Sequence, residues 1–177
     1  MREFNEPHPG EVRLQEQAGT RLAGSRLIRG MQQSLNPGFR RFIEARDMFF
    51  LATSDEEGRL DCSYRGGAPG FVRVVNERTL VFPDYSGNGS FMSLGNLLVN
   101  PQIGMLFMDF PTRRRLRVNG RAEILEESPL LAEFPGAERI VRVTVEQAFG
   151  NCSRYIHRMV KVEESPDVPT PATTHAA

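Results

Sequence analysis

Hydrophobic positions recur along the chain with two different periods, and the change falls near Met48. Before it the pattern is helical. Glu11 to Ala23 is mostly good helix formers, with Gly24 and Gly30 as breaks. Asn36-Pro37 reads as a cap followed by proline at the first helical position. Phe39, Phe42 and Ile43 then share a face at helical spacing. From Met48 the period is two. MFFLATS predicts a buried strand, DEEGR a turn, and then Leu60, Cys62 and Tyr64 alternate with Asp61, Ser63 and Arg65. FVRVV and LVFP predict a third and fourth strand around the turn NERT. The loop DYSGNGS leads into FMSLGNLLVN, a short helix closed by Asn100-Pro101, and IGMLFMDF predicts a fifth strand.

The clearest alternation lies in RRLRVNGRAEIL. Leu116, Val118, Ala122 and Ile124 face one way, and Arg115, Arg117, Asn119, Arg121 and Glu123 the other. Val141, Val143 and Val145 repeat it against Arg142, Thr144 and Glu146. Six or seven short strands, mostly hairpin-connected, with one helix between the fourth and fifth, predict a mainly β (α+β) antiparallel barrel with flanking helices. The expected organisation is a helical extension over 1–46, a barrel over 47–164 and a disordered tail over 165–177, where Pro, Thr and Ala dominate.

Composition narrows the function classes. The 177 residues favour one domain. Lys plus Arg equals Asp plus Glu at 22 each, so no global charge points to nucleic acid or an anionic membrane. Arg greatly exceeds Lys, and its planar fork suits phosphate and carboxylate, although genomic base composition is the simpler source of the bias as a whole. Cys62 and Cys152 are too few for a disulfide framework, and neither they nor His8, His157 and His175 have zinc-site spacing. With no signal-peptide core and no long apolar run, a cytoplasmic protein is expected. No GxGxxG, GxxxxGK[ST] or GxSxG motif occurs.

Three segments are candidates for chemistry. YSGNGSFMSLGN combines glycines, which let backbone approach a ligand, with a helix start, which attracts phosphate; Asn88, Ser90 and Ser93 add neutral donors. The bland alternative is a surface turn that caps a helix. Arg115 and Arg117, two residues apart on one strand face, suit a phosphate clamp or a solvated face. SYRGGAPGFV holds more glycine and proline than a hairpin needs. It suits a flat ligand edge, or simply a wide connection. Ser63 and Arg65 share a face with Asp61, so they serve phosphate or pair with that carboxylate. Taken together, the segments suit a ligand of modest charge such as a mononucleotide.

The motifs HPGEVRLQ from His8, DCSYRGGAPGFVRV from Asp61, FPDYSGNGSFMSLGNLLVNPQIGMLFMDF from Phe82, RLRVNG from Arg115 and FGNCSRYIHRM from Phe149 occur in one order. With them the chain resembles the pyridoxamine 5'-phosphate oxidase-like FMN-binding split-barrel family, and more closely an uncharacterised branch of it. The resemblance implies a six-stranded antiparallel split barrel, homodimeric, with FMN at the subunit interface. It implies phosphate contacts from Ser63, Arg65, Asn88, Ser93 and Asn96. It implies isoalloxazine contacts from the backbone of Pro69, Gly70, Phe71 and Val72, and an approach by Arg115 and Arg117 from the same or the partner subunit. The true oxidase carries a Ser-Arg-Lys run where Phe91, Met92 and Ser93 stand here, and an Arg-Leu-His-Asp-Arg segment that RYIHRM does not match. Vitamin B6 phosphate oxidation is therefore not implied.

The implied function is FMN-dependent oxidation or reduction of a small molecule. The alternatives are a non-catalytic flavin-binding or flavin-sensing module, and the same barrel with a deazaflavin or haem. No acid–base residue is forced by the sequence. Arg117 is the candidate to stabilise a reduced ring. Cys152 and His157 are candidates for substrate contact; the competing readings are a buried small residue at a strand end and an ordinary polar contact.

Overall fold

The computed structural model describes residues 6–169. Three helices lead the chain: α1 (Pro9–Gln17), α2 (Arg21–Arg29) and α3 (Pro37–Glu44). The HPGE motif opens α1 as a reciprocal cap. The Gly10 N–H donates to His8 Nδ1 at 3.1 Å, and the Glu11 carboxylate accepts from the His8 N–H at 2.7 Å. The helical run breaks earlier than expected, because Gly19 takes a left-handed conformation with φ 64°. Gly24 lies inside α2, where a Cβ would come within 2.6 Å of the Gln15 side chain; its role is close packing of α1 on α2. Asn36 caps α3 by accepting from the Phe39 N–H at 2.9 Å, as its sequence predicts.

Seven antiparallel strands follow: β1 (Met48–Ser54), β2 (Leu60–Gly66), β3 (Arg73–Asn76), β4 (Thr79–Tyr85), β5 (Gln102–Asp109), β6 (Arg114–Leu125) and β7 (Ala137–Gly150). Helix α4 (Met92–Val99) sits between β4 and β5, and Asn100 ends it. The strand order is β2-β1-β5-β6-β7-β4-β3, so the sheet does not close and β2 and β3 are free edges. This is an α+β fold with an antiparallel sheet, as the alternation predicts, opened as a split barrel, as the resemblance implies, with seven strands where the resemblance implies six. β3 starts at Arg73, because Phe71 and Val72 belong to the preceding turn. β7 runs far beyond the expected Val141–Glu146 segment, because a register shift at Asn119/Gly120 lets it pair along nearly all of β6.

The core forms where the alternating faces meet. Phe49, Phe82 and Phe107 are fully buried, and Phe49 packs on Phe71, Phe82 and Phe107 with ring centroids 5.1–5.8 Å apart. Leu116, Val118 and Ala122 of β6 and Val141, Val143 and Val145 of β7 face this core, matching the alternation. No helix among the described residues is long and apolar enough to cross a membrane. Beyond β7, residues 151–169 run without strands or helices, and Lys161 ties them back to Asp47 at 2.9 Å. Of the expected tail, 170–177 lies outside the described residues.

Candidate functional site

One strand breaks the rule that apolar residues face inward. In β2 the apolar residues Leu60, Cys62 and Tyr64 are exposed, while Asp61, Ser63 and Arg65 turn inward and are half-buried. The inward side chains meet the start of α4 and the loop before it. There they line a cleft of about 330 Å³ with Asp84, Tyr85, Gly87–Ser90 and Phe91–Leu94. Ser63, Arg65, Asn88 and Ser93 are therefore brought together, as expected.

The local geometry follows from the chain. Phe91, at the head of α4, has φ 49°, a left-handed conformation unusual for a residue with a Cβ, and no side chain caps the helix. Its first N–H groups are left for another partner. Asn88 shapes the loop, accepting from the Ser90 N–H at 3.0 Å and the Ser90 hydroxyl at 2.7 Å. Ser93 is buried at 4% exposure, and its hydroxyl donates to Asp61 Oδ2 at 2.6 Å. A hydroxyl has one proton. The 3.0 Å contact between the Ser63 and Ser93 hydroxyls must therefore run from Ser63 to Ser93. Both serine protons thus lie in a chain that ends on the Asp61 carboxylate.

Asp84 is the buried pivot of the cleft. Arg65 approaches one of its oxygens at 3.2 Å and Arg139 the other at 3.5 Å. Burial pushes the Asp84 carboxyl above its ordinary value, against the pull of these arginines. Burial likewise raises the Tyr85 phenol. Arg65 Nε is buried with no hydrogen-bond partner.

Several expected site residues lie elsewhere. Asn96 donates to Thr53 Oγ1 at 3.1 Å and tethers α4 to β1, because α4 straddles β1 and β2 and its successive faces meet different strands. Phe71 and Val72 point into the core, and the Phe71 N–H is held by the Ala68 carbonyl at 2.9 Å. Neither they nor Pro69 and Gly70 line the cleft. Gly66 and Gly67 instead line a neighbouring cleft of about 480 Å³, roofed by residues 161–169, and Tyr85 lines both. Arg115 and Arg117 lie on β6, and within one chain neither lines the cleft at α4. They also part company: Arg117 lines a cavity of about 630 Å³ beneath α1 and α2, and Arg115 a different cleft beside α3. Cys152 is exposed just beyond β7, not a buried strand-end residue, and His157 is exposed in the segment that follows.

Three residues not anticipated as site members line the cleft or support it: Asp84 and Tyr85 line it, and Arg139 reaches Asp84 from outside it. Asp84 and Tyr85 precede the glycine loop, so the motif FPDY marked their neighbourhood. Arg139 carried no local signal; it arrives as the register partner of Asp84 when β4 pairs with β7.

The sequence model of the pyridoxamine 5'-phosphate oxidase family matches residues 35–161. The chain belongs to this family. The match begins before α3 and ends after β7, so it takes in the whole sheet and the cleft at α4, and it leaves outside α1, α2 and nearly all of the roof of the neighbouring cleft. None of the functionally curated proteins matches the chain. Solved structures share the fold. A proposed pyridoxamine 5'-phosphate oxidase of Lactobacillus delbrueckii superposes with TM-score 0.54 at 18% identity, over 67% of this chain and 95% of that one. HupZ of Group A Streptococcus gives 0.52 at 18%, over 65% and 92%. A conserved hypothetical protein of Mycobacterium tuberculosis gives 0.50 at 17%, over 72% and 91%.

Proposed function

We propose that this chain binds FMN with its phosphate in the cleft at the head of α4, and acts as an FMN-dependent oxidoreductase on a small molecule. The observation that carries the reading is the inversion of β2. Asp61, Ser63 and Arg65 face inward onto an uncapped helix start, where Arg65 Nε is buried without a hydrogen-bond partner, and a buried polar atom is costly unless it finds one.

The residues present fit a phosphate. Arg65 has one nitrogen on Asp84 and a buried Nε without a partner; the head of α4 and the Asn88 loop add neutral donors. Asp61 is the opposing feature, a carboxylate that already holds the Ser63–Ser93 chain. Arg65, Asn88 and the head of α4 would hold the phosphate, joined by Ser63 and Ser93 once their protons turn from Asp61. The backbone at Gly66 and Gly67, in the adjoining cleft, is placed for the rest of the molecule. Bound flavin would supply hydride transfer. The protein's part is to anchor the phosphate, hold Arg65 in position through Asp84, and shield the adjoining cleft with residues 161–169.

The proposed assembly is a homodimer. The exposed apolar face of β2, with Leu60 at 84% and Tyr64 at 63%, is a surface suited to a second copy. In such a dimer Arg115 and Arg117 would reach a flavin only across the interface. A non-catalytic flavin module is the second reading.

Titration of apoprotein with FMN and with riboflavin tests the phosphate assignment. FMN should bind more tightly, and Arg65→Ala with Asn88→Ala should erase the difference; equal affinity for both ligands in the parent protein would refute the site. Mass spectrometry of the released chromophore separates FMN from a deazaflavin or haem. Rapid reduction by NADH or NADPH separates enzyme from carrier.

A further inference from the structure

Arg139 lies outside the cleft at α4 yet touches both of its halves. It sits on β7 in register with Asp84, and its guanidinium reaches Asp84 Oδ2 at 3.5 Å. The same guanidinium stacks on the Phe91 ring, 5.1 Å from the centroid, within the reach of a cation–π contact. Asp84 in turn holds Arg65 at 3.2 Å, and Phe91 heads α4. Phe91 and Leu94 line the cleft, and together with Arg139 they also line a groove of about 630 Å³. The Phe91 ring therefore stands between Arg139 and the cleft.

Each contact answers a physical cost. Asp84 is a buried carboxylate, and with Arg65 alone to neutralise it, it would draw in the whole Arg65 guanidinium. Arg139 takes the other oxygen, so Arg65 gives Asp84 only Nη1 and its buried Nε stays open. Phe91 is left-handed at φ 49°, a strained conformation for a residue with a Cβ, and no side chain caps α4. Arg139 clamps the Phe91 ring and so holds the first turn of α4 with its N–H groups open. The other anion on Arg139 is Glu138 at 3.1 Å, which is exposed and screened by water.

We propose that Arg139 is the positioning residue of the phosphate site. It does not touch the phosphate; it couples Arg65, through Asp84, to the head of α4, through Phe91. The role rests on the proposal of a flavin phosphate in this cleft. A residue that only pinned β4 to β7 would affect FMN and riboflavin alike, whereas one that couples the two halves of a phosphate site affects FMN alone.

Fluorescence titrations of the full chain with FMN and with riboflavin read this role. Arg139→Gln should lower FMN affinity about tenfold and leave riboflavin affinity unchanged. In an Arg65→Ala background the same change should have little further effect on FMN, a coupling of about tenfold between the two arginines. Phe91→Leu, which keeps both arginines, should lower FMN affinity in the same selective way. Arg142→Gln is the control for net charge. It removes a guanidinium from the same strand, where Arg142 pairs with Glu123 at 2.7 Å, and should leave both affinities as they are. Additive effects of Arg139→Gln and Arg65→Ala overturn the proposal. So does an equal loss for both ligands, or a loss in Arg142→Gln as large as that in Arg139→Gln. A parent preference for FMN over riboflavin in any of those outcomes leaves the phosphate reading standing, while absence of that preference refutes the reading and this role together. Should the Arg139–Arg65 double variant fail to fold, Phe91→Leu with Arg139→Gln closes an equivalent cycle, and additivity there overturns the proposal.

Discussion

At the scale of single residues, the cleft at α4 is governed by hydrogen-bond direction more than by residue type. Ser63 and Ser93 are good phosphate donors in principle, yet each has its one proton committed along the path to Asp61. Asp61 therefore sets how strongly the proposed phosphate is held. Asp61→Ala should free the Ser93 proton, remove a carboxylate facing the dianion, and tighten FMN binding by about tenfold. Fluorescence titration would show this, with riboflavin affinity little changed. If FMN affinity fell instead, Asp61 would be supporting the site and not opposing it. This tension was legible early, since Asp61, Ser63 and Arg65 share a strand face by simple alternation. Arg139 was not legible, because its approach to Asp84 needs two strands far apart in sequence to pair.

At the scale of elements, much of what resembles a functional motif is architecture. HPGE is a helix cap, and Gln15 of the same motif accepts from Arg21 at 3.0 Å and packs at Gly24. NG in RLRVNG marks the bulge where β6 shifts against β7. A Cβ on Gly120 would fall 2.1 Å from the Thr144 carbonyl oxygen, a backbone atom that cannot swing aside. Gly120→Ala should therefore destabilise the protein by about 2 kcal/mol or more, read as a lower denaturant midpoint. An unchanged midpoint would mean that the bulge relaxes freely. Asn96 makes the complementary point. Helical spacing places it near Ser93, but α4 spans two strands, so one face of the helix serves the cleft and the next serves β1.

At the scale of the whole molecule, the exposed apolar face of β2 is the feature a single chain leaves uncovered. The proposed dimer covers it, and Leu60→Asp with Tyr64→Asp should convert that dimer to monomer in light scattering coupled to size-exclusion chromatography. A parent protein that is itself monomeric would remove the basis for expecting Arg115 or Arg117 near a flavin. Alternation alone determined which faces of β6 and β7 are buried, because side-chain direction in a strand depends only on local geometry. It likewise determined the short helix before Asn100-Pro101 and the antiparallel character of the sheet, since hairpins are short-range. Only the tertiary structure decided that β1 pairs with β5 and β4 with β7, and with those pairings it decided the membership of each cleft. Arg139 joined Asp84, Asn96 left for Thr53, and Arg115 parted from Arg117 to stand with Arg113 and Arg114. Such partners depend on contacts between distant segments, which periodicity along the chain does not encode.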